Sequence, residues 1–550
     1  MAAVLSTVLV ILSPLLWVLS KVADFLVSVI SLVINGDRPK QKIPSVQNVL
    51  LLESAVSLAK GIRSRRLTSE VVVRAYIDRI KEVNGLLNCL VVDCFEDAIR
   101  EAKEVDKILE SIDIPERYNK KNAPFLGVPV SVKEAFSCKG MPNTSGLVSR
   151  KGVIAEDDAP PVGNMKKAGC IVLGVTNCSE LCMWYESANF VYGRTNNAYD
   201  IRRIVGGSSG GEGCILSAAA SVIGIGADIG GSIRMPAFFN GVFGHKPSPG
   251  VVDNDGQFPS AKGDQDEMMS TGPLCRYAVD LDPLLRVMAG PEGISKIKLD
   301  APVDLKSLKY FSAGTDMKKM LLSPLDPELR DAQFRAAKYL EETLGVKVEH
   351  KLLHRFKYSV AIWSARMQKS GGDTFTSLMG DHGTQVLPSL ELVKRIFNLS
   401  NHTLPAILLA LFEDFDRLMP DKTDRLLSSC TKLRDQLKEL LGDNGVLLYP
   451  SHPKIAPFHN SPIVHPTNFA YTGIFNALGF PVTQVPLGLS TQGLPLGVQL
   501  VTTPYNDHLT LAVARQLEKG FGGWVTELSG SLVGDRLGTD ENDGNKSVDD

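Results

Sequence analysis

The sequence predicts an α/β fold, and two textures along the chain lead there. From Pro124 onward, short apolar runs such as GVPVSV, GCIVLGV and ASVIGIGAD alternate with glycine-rich turns and helical patterns. Strands interleaved with helices of that kind build α/β architectures. The C-terminal part repeats the texture with GFPVTQVPLGL, GLPLGVQLV and a helix from about Asp507 to Lys519. A third observation adds a membrane element: residues 2–34 are almost wholly apolar.

Residues 2–20 carry no charge, and a second apolar run follows Lys21 and Asp24 up to Ile34. About 20 apolar residues are enough for a helix to cross a bilayer, and Pro14 is tolerated in such a helix. A signal peptide would want a basic start and a small-residue cleavage site; the basic start is missing. A buried soluble helix is the other alternative. The reading carried forward is a retained membrane anchor over residues 1–35, single-pass or lying partly in the interface. The basic segment Asp37-Arg38-Pro39-Lys40-Gln41-Lys42 votes weakly for a cytosolic side by the positive-inside rule, so the side of the membrane stays open. Three glycosylation sequons, at Asn143, Asn398 and Asn401, carry little weight, because such matches arise by chance.

Residues 36–46 read as a polar linker, and 47–528 as one catalytic domain. Within it, Thr68 or Ser69 caps a helix whose apolar face is Val72, Val73, Tyr76, Ile77 and Ile80. Residues 95–110 form an amphipathic surface helix. Residues 529–550 are polar and acidic and read as a disordered tail. No internal repeat is visible.

Composition narrows the function classes. The 550 residues are 44% hydrophobic with a formal net charge of −2. That balance argues against a nucleic-acid partner, which leaves a basic footprint. The nine cysteines are odd in number in a long chain, which speaks against a disulfide framework. Cys178 and Cys182 have no second Cys/His pair near enough for zinc. No metal and no cofactor are expected.

Three segments carry chemistry. In PVSVKE an apolar strand ends on Lys133, which alone would pass for a surface lysine. GGSSGGEG, residues 206–213, is a glycine-rich loop around Ser208 and Ser209, and the small apolar CILSAAASVIGIG behind it reads as a buried helix leading into a strand. GADIGGSIRMP places Ser232 after a Gly-Gly pair whose backbone N–H groups can form an oxyanion hole, flanked by Asp228 and Arg234. Gly206-x-Ser208-x-Gly210 also fits the nucleophile elbow of α/β-hydrolases. DIRRIV is a poor buried strand for that elbow, and the adjacent Asp507-His508 is a poor acid–histidine pair.

Taken together, the strand-end lysine, the GGSSGG loop and the DIGGSIR loop resemble the amidase signature family, over roughly residues 50–525. Within it, the anchor and the segments NCSELCMWYES and GHKPSPGVV resemble the membrane-bound fatty-acid amide hydrolases, type 2 branch most. The resemblance implies a mixed, twisted central sheet surrounded by helices. It implies a Ser-Ser-Lys triad of Ser232 as nucleophile, Ser208 as relay held by a cis peptide, and Lys133 as base. It puts the oxyanion loop on Ile229, Gly230, Gly231 and Ser232, and a backbone contact to substrate near Cys182 and Met183. Ser209, Asp228 and Arg234 are supporting residues. A lysine can act as base only when neutral, which burial favours.

The implied substrates are lipid amides drawn from a bilayer, with the enzyme at the endoplasmic reticulum or lipid droplets. The run Leu404–Phe412 reads either as a core helix or as a membrane-facing cap beside an acyl channel. Two alternatives remain: a glutaminase-like amidotransferase subunit, and an inactive membrane scaffold. Preferred acyl chain, amine and oligomeric state, homodimer included, stay open.

Overall fold

The computed structural model describes residues 41–314, 322–369, 371–416 and 420–526. The expected anchor at 1–35, the first part of the linker and the tail at 529–550 lie outside the described residues. Among the described residues, no helix is long and apolar enough to cross a membrane.

The strands are β1 (Leu90–Asp93), β2 (Pro129–Lys133), β3 (Ile171–Thr176), β4 (Ala188–Asn189), β5 (Gly193–Arg194), β6 (Ile223–Asp228), β7 (Phe243–Lys246), β8 (Ser270–Cys275), β9 (Lys309–Gly314), β10 (Val348–Leu352), β11 (Gly445–Tyr449), β12 (Val482–Leu489) and β13 (Pro495–Val501). Among the described residues, eleven of them make one sheet in the order β1-β3-β2-β6-β8-β7-β12-β13-β11-β9-β10, and β4 pairs with β5 alone. The sheet is mixed. β2 runs parallel to both β3 and β6, whereas β6, β8, β7, β12 and β13 alternate direction.

The helices that matter for the site are α1 (Ser69–Leu87), α2 (Phe95–Glu110), α3 (Gly210–Ser217), α4 (Arg234–Phe239), α5 (Ser359–Lys369), α6 (Phe375–Met379), α7 (Pro388–Ile396), α8 (Leu404–Asp416), α9 (Ala470–Leu478) and α10 (Asp507–Phe521). The sequence patterns explain most of them. Thr68 caps α1, its side chain accepting from the Val71 N–H at 3.2 Å. The face Val72, Val73, Tyr76, Ile77 and Ile80 is buried as expected; a fully buried aliphatic side chain of this kind contributes about 1.5–3 kcal/mol. α2 covers 95–110 as expected. The glycine-rich serine loop feeds α3, every residue of which is buried, and then β6.

Two readings of the sequence need adjusting. The end of the linker packs on the domain: Val46 is buried in the core, and the Pro44 carbonyl accepts from Arg79 Nη2 at 2.8 Å. The Leu404–Phe412 run divides its loyalties. Ala406, Ile407 and Ala410 join Leu181 and Phe375 in a small core of their own, while Phe412 is 61% exposed. The larger outward apolar surface lies just before it, on α7 and its flanks, where Leu387, Leu390, Val393, Ile396, Phe397 and Leu399 are 48–75% exposed.

Candidate active site

Sheet order decides where the chemistry sits. β2 and β6 are parallel neighbours, so Lys133 at the end of one and the DIGGSIR loop after the other emerge side by side. Open α/β sheets bind ligands beyond the carboxyl ends of their parallel strands. β2 has β3 on one side and β6 on the other, and all five of its residues are buried. Side chains alternate across a strand, so Ser131 and Lys133 share one face and Val130 and Val132 the other. Lys133, far from being a surface lysine, is 0% exposed.

Lys133 Nζ donates to Ser208 Oγ at 2.7 Å. The Gly207–Ser208 peptide bond is cis. Gly207 allows a close approach here: a Cβ on it would stand 2.3 Å from the Trp184 carbonyl oxygen. Ser208 precedes the N-terminus of α3, whose backbone dipoles favour negative charge. The stretch before it, Asp200–Val205, contains no strand, so the nucleophile-elbow reading has no strand to stand on. Asp507 is buried against His245 and Ser248 instead of its neighbour His508.

The second serine loop is organised by Asp228, the last residue of β6. Its carboxylate accepts the N–H groups of Gly231 at 2.7 Å and Ile233 at 3.1 Å, and two guanidinium N–H groups of Arg234 at 3.0 and 2.9 Å. Burial alone would push this carboxyl up, yet the Arg234 charge and its hydrogen bonds hold it well below the usual carboxylate range. Arg234 in turn donates to the Thr472 carbonyl, Gln499 Oε1 and Asn476 Oδ1. The carbonyls of the loop are also claimed: Trp363 Nε1 donates to Ile229 at 2.7 Å, and Thr472 Oγ1 to Gly230 at 2.7 Å. In a trans peptide the N–H points opposite the C=O. Anchoring the Ile229 carbonyl on Trp363 therefore aims the Gly230 N–H away from Trp363. The Gly231 N–H is committed to Asp228, leaving Ile229, Gly230 and Ser232 as the loop's candidate oxyanion donors. Gly231 itself has φ 124°, and a Cβ there would lie 2.1 Å from Thr472 Oγ1.

The two loops are stitched together by Ser209, whose N–H donates to the Ser232 carbonyl at 3.2 Å. No hydrogen bond joins Ser208 to Ser232 among the described residues. Both serines and Lys133 line one cavity of about 240 Å³. Cys182, Met183 and Ile229 line it too; Gly230 is the partly exposed next residue of the loop, whereas Gly231, Ser209, Asp228 and Arg234 are buried and do not line it. Leu181, Phe375, Leu409 and Phe412 supply apolar wall from α6, α8 and the Cys182 turn. The N–H groups of Cys182 and Met183 are taken by the Ser179 and Glu180 carbonyls. Only their carbonyl oxygens are left to accept a substrate N–H.

Several supporting residues escaped the sequence. Glu212 accepts from Ser131 Oγ at 2.8 Å and Thr176 Oγ1 at 2.7 Å, and Thr176 is the register partner of Lys133. Burial pushes the Glu212 carboxyl up to about 8. Glu134 accepts from Thr144, Ser145 and Tyr192, and burial pushes it up to about 7. Ser145 then accepts the Leu181 N–H through its carbonyl, so Glu134 braces the Cys182 turn. On the far side of that turn, Glu180 accepts from His402 and the Thr403 N–H at 2.7 Å each, tying it to the start of α8. Thr472 and Asn476 were legible in principle as polar residues one turn apart on the apolar helix AYTGIFNAL; Trp363 had no local signal at all. All nine cysteines are free. No group of three or more metal-ligating side chains occurs among the described residues.

Known proteins resemble the chain over most of its length. A profile described as Amidase matches residues 71–511. Fatty-acid amide hydrolase 2 of Homo sapiens is 54% identical over 90% of this chain and 94% of its own. Fatty-acid amide hydrolase 2-A of Danio rerio is 53% identical over 88% and 91%. A solved structure of a fatty acid amide hydrolase superposes with a TM-score of 0.67 at 23% identity, covering 86% of both chains, and shares the fold.

Proposed function

This chain belongs to the amidase family and is an amide hydrolase, and from that premise we propose that it is a membrane-bound serine hydrolase of fatty acid amides. Primary fatty amides and N-acylethanolamines are cleaved to free fatty acid and ammonia or amine. The observation that carries this reading is the 2.7 Å Lys133–Ser208 hydrogen bond, at a cavity that also presents Ser232 and has an apolar wall.

A serine hydroxyl is a weak nucleophile and needs a base. Lys133 takes the Ser208 proton, Ser208 takes that of Ser232, and Ser232 attacks the acyl carbon. The N–H groups of Ile229, Gly230 and Ser232 receive the oxyanion, one strong donor of this kind contributing about 3–4 kcal/mol. The Cys182 or Met183 carbonyl accepts the substrate N–H. Ser208 returns a proton to the leaving amine, and water then releases the acid from the acyl-enzyme. Asp228, Arg234 and Ser209 hold both loops in register.

The membrane part rests on two features. Residues 1–35 have the length and apolarity of a single-pass anchor. The exposed face of α7, flanked by Lys394 and Arg395, is suited to lie in a lipid interface. Such a position, at the endoplasmic reticulum or lipid droplets, puts the cavity mouth where lipid amides reside. A glutamine side chain would gain little from the apolar wall, which disfavours the glutaminase reading.

The test is a substrate panel of primary fatty amides, N-acylethanolamines and glutamine, with Ser232→Ala as control. Long-chain amides should be turned over only by the unsubstituted chain. Preference for glutamine, or turnover by Ser232→Ala, would overturn the proposal. Failure of a fluorophosphonate to label Ser232 would revive the inactive scaffold.

A further inference from the structure

The cavity sorts its lining by chemistry. The wall at Leu181, Phe375, Leu409 and Phe412 is apolar and suits an acyl chain. Apart from the reactive serines, the amide and hydroxyl side chains in the lining are Gln257, Ser260, Gln265, Ser364 and Gln368, all from the segment 257–265 and α5. Gln257 alone of these five is buried, 8% exposed. Its backbone bridges to Phe136, three residues beyond Lys133, and its side chain reaches Thr271 on β8. Thr271 is the register partner of Ala227 on β6, which lines the cavity five residues before Ser232. The Gln257 amide therefore lies beside the end of β6, next to the reacting groups.

Hydrogen bonds fix which way that amide points. The Thr271 backbone N–H donates to Asn254 Oδ1 at 3.0 Å, and a backbone N–H can only donate. Asn254 Nδ2 in turn donates to Asp266 Oδ1 at 2.8 Å and to the Met269 carbonyl at 3.3 Å. The Thr271 hydroxyl stands 2.9 Å from Asn254 Oδ1, so its one proton goes there and its oxygen is left to accept. The group 2.8 Å from that oxygen is then the Gln257 Nε2 donor, which also donates to the Asn254 carbonyl at 3.2 Å. Both N–H groups of Gln257 are thus committed to acceptors outside the cavity. Its side-chain carbonyl, Oε1, accepts no hydrogen bond among the described residues and is the part of the amide left for an occupant. Buried polar groups are nearly always hydrogen-bonded, so an acceptor held in one orientation and unused in a cavity calls for a donor on the ligand.

We propose that Gln257 is a specificity-determining residue of the hydrolase, whose Oε1 accepts a hydrogen bond from the hydroxyl of an N-acylethanolamine's leaving amine. The assignment rests on fatty acid amides being the substrates. The acyl chain then lies on the apolar wall, the scissile carbonyl at Ser232, and the headgroup at Gln257. In an N-acylethanolamine the hydroxyl is a donor two carbons from the scissile nitrogen. A fixed buried acceptor favours a headgroup with a donor and rejects one without, because the oxygen would lose water and gain no partner. An ether oxygen in the same place has no proton to offer and is rejected like a methylene.

The experiment measures kcat/KM of the full-length protein on three amides of one long-chain acid, made from ethanolamine, propylamine and 2-methoxyethylamine. The ethanolamide should exceed each of the other two by at least about tenfold. In Gln257→Met, which keeps the length and unbranched shape of the side chain without its amide, both ratios should fall to about one or below. Each ratio is taken within one preparation, so a variant that folds poorly lowers all three rates together and leaves the ratios readable. Ratios near one in the unsubstituted chain overturn the proposal, and so does a Gln257→Met that keeps the tenfold preference. A methoxyethylamide cleaved as fast as the ethanolamide overturns it too, in the unsubstituted chain alone. Hydrolysis of none of the three, with glutamine turned over instead, overturns the fatty-amide reading along with it and is distinct from the other outcomes.

Discussion

Lys133 and Ser208 meet side chain to side chain at 2.7 Å, with the lysine sealed from solvent and the serine 1% exposed. The contact joins the end of β2 to a loop 75 residues away. It depends on the parallel pairing that sets β2 beside β6. If this contact is the proton relay, Lys133→Ala should lower kcat/KM on a long-chain amide by about 10²–10⁴-fold, the usual range for losing a general base. Purified Lys133→Ala with undiminished turnover would remove Lys133 from the chemistry.

The Ser232 loop yields a second expectation. Gly231 tolerates neither a left-handed penalty nor a Cβ against Thr472 Oγ1. Gly231→Ala should tilt the peptides that carry the oxyanion donors and lower kcat by about 10²–10³-fold, the size of one lost donor. Steady-state kinetics alongside a melting curve separates this from unfolding: a loss of kcat that merely tracked the loss of folded protein would deny the loop its role.

Glu212 makes a prediction about pH. Its folded carboxyl is raised by burial to about 8 from an ordinary value near 4.5. The folded state therefore holds a proton that the unfolded chain has released between those values. Stability falls as pH rises through that window, by up to about 1.4 kcal/mol per pH unit from this group. Glu212→Gln cannot titrate. The melting temperature of Glu212→Gln minus that of the unsubstituted chain should climb from pH 5 to pH 8. A difference that stays flat across that range would mean Glu212 is not held protonated.

The outward face of α7 gives a fourth. Replacing Leu390, Val393 and Phe397 by serine removes apolar surface that the described residues leave about half or more exposed, so folding stability should change little. Each side chain is worth about 1.5–3 kcal/mol if lipid buries it. KM for a long-chain amide presented in vesicles should rise at least about tenfold, while a short water-soluble amide is hydrolysed as before. Equal effects on both substrates would point to damage inside the cavity instead of lost docking.

How much of this could be read from the residues alone follows from where each constraint is local. The cap at Thr68, the helix at 95–110 and the strand-end position of Lys133 are written in neighbouring residues, because periodicity and capping are short-range. Ser208 and Ser232 were legible through their glycines, since backbone freedom leaves a compositional trace. Trp363 and Gln499 were not. Each acts through a single long-range hydrogen bond to the DIGGSIR loop, and nothing in its own neighbourhood distinguishes it from packing. Glu212 hid differently: a carboxylate inside a glycine-rich loop looks solvated until the sheet closes over it. The apolar run at Leu404–Phe412 was ambiguous for a good reason, because one side of it is core and the other is not.

The sheet and one side of the cavity wall have separate origins in the chain. Lys133 and both serine loops rise from β2, β6 and the segment between them, whereas α5 through α8 all fall in the long excursion between β10 and β11. The excursion touches the reactive loops at few points, chiefly Trp363 on Ile229 and His402 on Glu180. The part of the wall that the excursion supplies is thus separable from the sheet that carries Lys133 and the serine loops. The excursion can be treated as a cassette for exchange between relatives, with Trp363, His402 and Thr403 kept as its splice contacts, so that substrate range is redesigned while the machinery on the sheet is left alone.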